Sequence, residues 1–158
     1  MADVTIHAVG RLKEPHYSAA CDEYLKRLKA FGRVQVIETR ETQLSRAPSP
    51  AEIAGAVAEE CGRVILPPRA YVVALTPEGR TLDSEGFAGL FKTQMDRGVS
   101  SFAFVIGGSF GLSDAMKQRA DLRLSMSAMT FPHHLARVML LEQIYRASQI
   151  LSGGKYHK

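Results

Sequence analysis

The sequence has no tryptophan and only two cysteines in 158 residues. Cys21 and Cys61 have no CxxC spacing and no nearby histidine pair, which excludes a zinc site of ordinary spacing and a disulfide framework. Both fall inside helical patterns and read as small core residues of a reducing compartment. No apolar run reaches the roughly 18 residues that a bilayer-spanning helix needs. The opening MADVTIHAVG lacks the basic start and long apolar stretch of a signal peptide. The expectation is a soluble, cytoplasmic protein with no membrane partner. One sign of charge does not dominate either: 20 Lys and Arg face 16 Asp and Glu, for a net charge of +4. That surplus suits a nucleic-acid partner but is shared by many proteins that never touch one. There is no GxGxxG in the first βα unit and no GK[ST] anywhere, so dinucleotide and P-loop fingerprints are absent. No metal-ligand spacing appears, and no metal is expected.

What is present is a regular alternation of strand and helix patterns, in a length that suits one domain spanning residues 1–158 with a sizeable core. Val4, Ile6 and Ala8 alternate with Thr5 and His7 as a first strand that ends at Gly10. Pro15 opens a helix in which Tyr17, Ala20, Cys21, Tyr24, Leu25 and Leu28 recur at helical spacing up to Gly32. Val34–Ile37 reads as a strand, and Glu38 to Ser49 as a surface loop. Ser49, Pro50 and Glu52 form a capping-box start for a helix to about Cys61. Tyr71–Leu75 is an apolar run typical of a strand buried on both faces, followed by a TPEGR turn. A helix from Asp83 or Ser84 runs to Gly98, and Phe102–Ile106 is a further strand. Ser113 caps a short helix, Leu122–Ser125 makes a last strand, and Pro132 begins a long final helix. The alternation predicts an α/β fold on a largely parallel sheet.

Three segments stand out as candidates for chemistry. The Phe102–Ile106 strand runs into Gly107-Gly108-Ser109-Phe110-Gly111, and glycines at a strand's carboxyl end let backbone approach a ligand. Leu75 ends another strand at the same edge, although a tight structural turn is an equal reading of the glycines. Met126-Ser127-Ala128-Met129-Thr130-Phe131, with Pro132, His133 and His134, combines hydroxyls, thioethers and an aromatic just before a helix; an ordinary loop would look the same. The chain ends Gly153-Gly154-Lys155-Tyr156-His157-Lys158, a glycine hinge with a basic, aromatic tail suited to phosphate and base contact, or to fraying.

Their order and spacing resemble one family. FVIGG, then GLS, SMSAMTFPHHLARV, LLEQIYRA and a closing YHK, together with VTIHAVGRLKE, EYLKR and VALTPEGR, are similar to the SPOUT-class methyltransferase H family, which modifies a pseudouridine in large-subunit ribosomal RNA. The resemblance runs over essentially the whole length.

That resemblance implies a SPOUT-like parallel-sheet sandwich with a C-terminal trefoil knot, which no periodicity would have suggested. It implies S-adenosyl-L-methionine as cofactor, held by Leu75, Gly107, Gly108 and Met126, Ser127, Ala128, Met129, Thr130 and Phe131. It implies a homodimer built on the last helix, acting on large-subunit ribosomal RNA in the assembled ribosome through Tyr156, His157 and Lys158 of the tail. His157 is the candidate for handling the substrate or its proton, with a structural donor as the other reading, and Arg137 on the last helix reads first as structural and second as an RNA contact. The chemistry expected is methylation of the pseudouridine ring at nitrogen 3. The chain departs from the family's GGPEG at Ser109 and Phe110, and from a closing YHR at Lys158, which keeps the charge but loses bidentate phosphate binding. The alternative is a non-catalytic ribosome-binding module of the same fold, which would keep the tail but need no pocket at Gly107.

Overall fold

The computed structural model describes residues 1–158. In chain order the elements are β1 (Asp3–Val9), α1 (Pro15–Leu28), β2 (Val34–Thr39), α2 (Pro50–Gly62), β3 (Tyr71–Thr81), α3 (Ser84–Asp96), β4 (Ser101–Ile106), α4 (Asp114–Arg119), β5 (Leu122–Ser125) and α5 (His133–Leu151). The strands form one sheet in the order β2-β1-β4-β3-β5, and every neighbouring pair is parallel. Helices cover both faces, which is why the central strands are apolar on both sides: Phe102, Ala103, Phe104 and Val105 all have no exposure. The two crossovers that step one way along the sheet put α1 and α3 on one face. The two that step the other way put α2 and α4 on the opposite face, as uniform crossover handedness requires.

Side-chain alternation along each strand sorts the core into two layers. Val4, Ile6, Val73, Phe102, Phe104 and Leu124 meet α1, α3 and α5 on one face. Val72, Ala74, Ala103 and Val105 meet Val57, Cys61, Leu112 and Met116 of α2 and α4 on the other. Phe91 lies against Phe102 with ring centroids 4.5 Å apart, and each buried ring contributes roughly 1.5–3 kcal/mol by leaving water. Both cysteines are free and buried, as small core side chains. The capping box of α2 forms: the Ser49 hydroxyl accepts from the Glu52 amide at 3.2 Å, and the Glu52 carboxylate accepts from the Ser49 amide at 2.7 Å.

Three local expectations are corrected. The strand after Leu75 does not stop in a TPEGR turn. Leu124 is in register with Leu75 and again with Arg80, so Thr76 to Gly79 bulge outward and β3 resumes alongside β5 through Thr81. A Cβ at Gly79 would lie 2.7 Å from the backbone of Arg123 and Leu124, so this crossing of two chain segments needs glycine. The polar stretch expected as loop from Glu38 begins later, because β2 continues through a buried Thr39. Finally, Pro132 is the N-cap of α5, with extended ψ, and its first helical residue is His133. Proline's ring forbids donation but not this flanking conformation.

No helix is long and apolar enough to cross a membrane.

Candidate active site

At the carboxyl edge of the sheet, β3, β4 and β5 end side by side and the chain leaves each in a different way. After β4, Gly107 and Gly108 stay buried while Gly111 turns back, its amide donating to the Gly108 carbonyl at 3.1 Å. Gly111 has φ of +78°, a left-handed conformation that glycine adopts without strain. A Cβ on Gly107 would run into the backbone of Gly111, so the loop can close only with glycine there. A bulky side chain at 107 would therefore break the loop before it filled any pocket, and substitution there is not a clean test of ligand binding.

After β5 the segment Met126–Phe131 folds over this edge. It is tied by the Ser125 hydroxyl donating to the Ser127 carbonyl at 2.9 Å and by the Met129 amide donating to the Ser127 hydroxyl at 3.0 Å. The two segments and the end of β3 enclose one cleft. Of the sequence-predicted residues, Leu75, Gly107, Gly108, Met126, Ser127, Met129, Thr130 and Phe131 line it, and Ala128 does not. Its enclosed part is about 150 Å³. That is less than the roughly 300–1,000 Å³ of typical small-molecule sites, so a nucleoside-sized ligand would seat one ring inside and extend into the open mouth. A larger groove of about 500 Å³ adjoins it between α1, α3 and α5, sharing Leu124, Ser125 and Met126 and lined otherwise by residues such as Tyr24, Phe87, Val138 and Met139, with no glycine loop. The glycine cleft is the better candidate for chemistry because backbone amides and an unsatisfied hydroxyl converge there.

Nothing in the sequence singles out that hydroxyl. Thr76 is 4% exposed, lines the cleft, and its Oγ1 has no hydrogen-bond partner in the chain. A buried orphan of this kind is rare and points to a ligand that would satisfy it. Its only sequence signal was its place just beyond the strand end at Leu75. His133 and Ala136, on the first turn of α5, also line the cleft. Burial lowers the His133 pKa, with the neighbouring His134 adding to the effect, while Glu41 and Glu14 oppose it. His134 faces Glu14, Nδ1 to Oε2 at 3.0 Å.

Arg137 takes the structural one of its two readings. It is 2% exposed, its guanidinium donating to Glu38 at 2.6 Å and to the Gly10 carbonyl at 3.0 Å, so a phosphate would have to displace internal partners to reach it. The tail lies against the second half of α5. The Tyr156 hydroxyl donates to Glu142 at 3.1 Å, and Arg146 stacks over the Tyr156 ring at 4.7 Å. Burial, then a hydrogen bond with Tyr24 and the Glu142 charge, push the Tyr156 phenol up to about 12. His157 Nδ1 faces an Arg146 nitrogen at 3.3 Å. A guanidinium only donates, so that ring nitrogen accepts and its lone pair is occupied. Lys158 is exposed. No cluster of three or more His, Cys, Asp or Glu side chains is placed to hold a metal ion.

The family described as "Predicted SPOUT methyltransferase" matches residues 2–157. Among curated relatives, the chain is 45% identical to the ribosomal RNA large subunit methyltransferase H of Moorella thermoacetica over 100% of both chains. It is 43% identical to the protein of the same name from Carboxydothermus hydrogenoformans over 99% of each. Among solved structures, the tRNA (m1G37) methyltransferase of Aquifex aeolicus superposes with a TM-score of 0.52 at 14% identity, covering 99% of this chain and 73% of that one. At that identity the superposition speaks for the fold alone. With the family matched from one end of the chain to the other and relatives above 40% identity over their whole length, this chain belongs to the SPOUT methyltransferase family.

Proposed function

We propose that the protein methylates nitrogen 3 of a pseudouridine in large-subunit ribosomal RNA, with S-adenosyl-L-methionine as donor, in the cytoplasm and on the assembled ribosome. The observation that carries this reading is the convergence of Leu75, Gly107, Gly108 and the Met126–Phe131 loop on one cleft at the strand ends. The residues present fit the cofactor. Gly107 and Gly108 leave backbone bare, Thr76 supplies an unpaired hydroxyl, and Met126 and Phe131 give apolar and thioether surface for a ring and a thioether chain. When bound, the cofactor supplies an electrophilic methyl on a sulfonium. The chain's own task is to hold the target nitrogen in line behind that carbon and exclude water, so positioning supplies most of the acceleration. This reading also carries a trefoil knot near the C-terminus.

The same reading carries a homodimer. As folded, the tail rests near Arg146, thirteen residues along α5 from His133 or about 20 Å by helical rise. A tail that acts at a cleft while docked on its own helix acts in the cleft of a second copy, and the groove between α1, α3 and α5 offers that copy a partly apolar seat. Tyr156, His157 and Lys158 would then meet the RNA beside the partner's cofactor, while Arg137 positions the first turn of α5 from within.

Calorimetry with S-adenosylmethionine tests the site. Thr76→Val should weaken binding roughly three- to tenfold, the worth of one hydrogen bond, without loss of stability, because the hydroxyl has no partner in the free chain. Ala136→Trp should abolish binding by occupying the cleft. Absence of any binding to the unaltered protein would overturn the proposal, and mass mapping of ribosomal RNA from cells with and without it identifies the nucleotide.

A further inference from the structure

The target imide carries a proton that must leave as the methyl arrives, and the residues lining the cleft narrow the choice of acceptor. They are glycines, apolar side chains, serines, threonines and one ionisable group, His133. The other histidines near the site are committed elsewhere. His134 faces Glu14, and His157, docked on the helix of whichever copy carries it, has its Nδ1 taken by a hydrogen from Arg146. Resting on the reading given under Proposed function, we propose that His133 is the proton acceptor of the methyl transfer, a catalytic residue that touches the substrate nitrogen's hydrogen at the cleft mouth.

The surroundings suit that task. His133 opens α5, which has no side-chain cap and no acidic residue in its first turn, so the positive end of a 19-residue helix faces the ring and favours its neutral form. The groups around it are Glu14 at the N-cap of α1, Glu41 after β2, and His134 and Arg137 on α5 itself. Burial, then His134 and Arg137, bias the ring toward its neutral form, while Glu41 and Glu14 favour the imidazolium that forms when it accepts a proton. The Glu41 carboxylate is held close by, 3.3 Å from where a Cβ on Gly108 would sit. No hydrogen bond from the chain engages the His133 ring. In the step, the nitrogen's electron pair forms the N–CH₃ bond and the S–CH₃ bond breaks with its pair left on sulfur. The N–H proton passes to the free imidazole nitrogen and from there to water. Charge balances: sulfonium and neutral imide become thioether, methylated imide and imidazolium.

Three measurements test this. Nuclear magnetic resonance of the free enzyme should show the His133 ring titrating below 6.5 and its signals moving when S-adenosylmethionine is added; a ring that titrates above 6.5 or ignores the cofactor overturns the proposal. Single-turnover methylation of ribosomes should fall about 10²- to 10⁴-fold in His133→Gln at pH 7, the usual worth of general-base catalysis. The wild-type acid limb should be replaced by a rate that keeps rising with pH as the imide ionises unaided. His133→Ala should regain rate on addition of free imidazole, which a merely structural role would not show. A His133→Gln rate within threefold of wild type with S-adenosylmethionine affinity intact removes His133 as acceptor and leaves the proposed function standing, whereas loss of cofactor binding by the wild-type protein removes both.

Discussion

The Glu38–Arg137 pair offers a sharp test of how burial sets energies here, because its two ends sit in unlike surroundings. The Arg137 side chain is 2% exposed and the Glu38 side chain 38%. Glu38→Ala strands a guanidinium inside the protein with the Gly10 carbonyl as its one remaining partner, its Nε being already unpaired. An uncompensated buried charge of that kind lowers stability by about 3–5 kcal/mol, which corresponds to a fall in Tm of roughly 6–20 °C for a domain of this size. Arg137→Met should be milder, about 1–2 kcal/mol, because Glu38 keeps access to water and to the Leu12 amide at 3.3 Å while methionine fills most of the volume. The double variant should resemble Arg137→Met rather than the sum of the two, a coupling of about 2 kcal/mol or more. Urea unfolding at pH 7 and one fixed protein concentration measures all three, since self-association would otherwise shift the midpoints. Additive losses, or Arg137→Met costing as much as Glu38→Ala, would refute the reasoning.

Gly79→Ala should lower stability by more than about 2 kcal/mol or prevent folding, since the new Cβ would meet backbone 2.7 Å away on a strand already paired twice; a urea midpoint unchanged within error would show that the crossing can give way. Ser49→Ala, by contrast, should cost only about 1 kcal/mol, as removal of a helix cap does elsewhere, read by the same assay. Ultraviolet titration should find one tyrosine ionising at about 12, missing in Tyr156→Phe and shifted down in Glu142→Gln. The folded value lies above the ordinary 10.0 of a tyrosine, so the tail's contribution to stability is present below pH 10 and is lost as pH rises through 12. His7 is 2% exposed, neither ring nitrogen has a partner, and burial lowers its pKa from 6.5. The unfolded chain then takes up its proton first, so stability falls as pH drops below 6.5, and His7→Val should flatten that slope in urea midpoints taken between pH 7 and 5.

Much of the fold was legible because its signals are local. The capping box at Ser49, the apolar run Phe102–Ile106 and the helical spacing from Tyr17 to Leu28 are set within a few residues, where propensity and pattern decide. The bulge at Thr76–Gly79 was not legible, because TPEGR carries every mark of a turn and becomes strand only when β5 supplies its second row of partners. Glu38 likewise reads as loop in the sequence, since its partner Arg137 lies 99 positions away. The glycine loop and the Met126–Phe131 segment were recognisable as candidates, yet nothing local revealed that Thr76 would be left with an orphaned hydroxyl between them.

By itself, then, the order of residues determined the alternation of strands and helices and which family they spell. The tertiary structure alone decided that the ends of β3, β4 and β5 lie together, that His133 is the one ionisable side chain lining their cleft, and that Arg137 points inward to Glu38. The reason is that local preference acts over one or two turns of chain, whereas a cleft is made by segments far apart in sequence, joined only when a sheet order of β2-β1-β4-β3-β5 brings their ends to one edge.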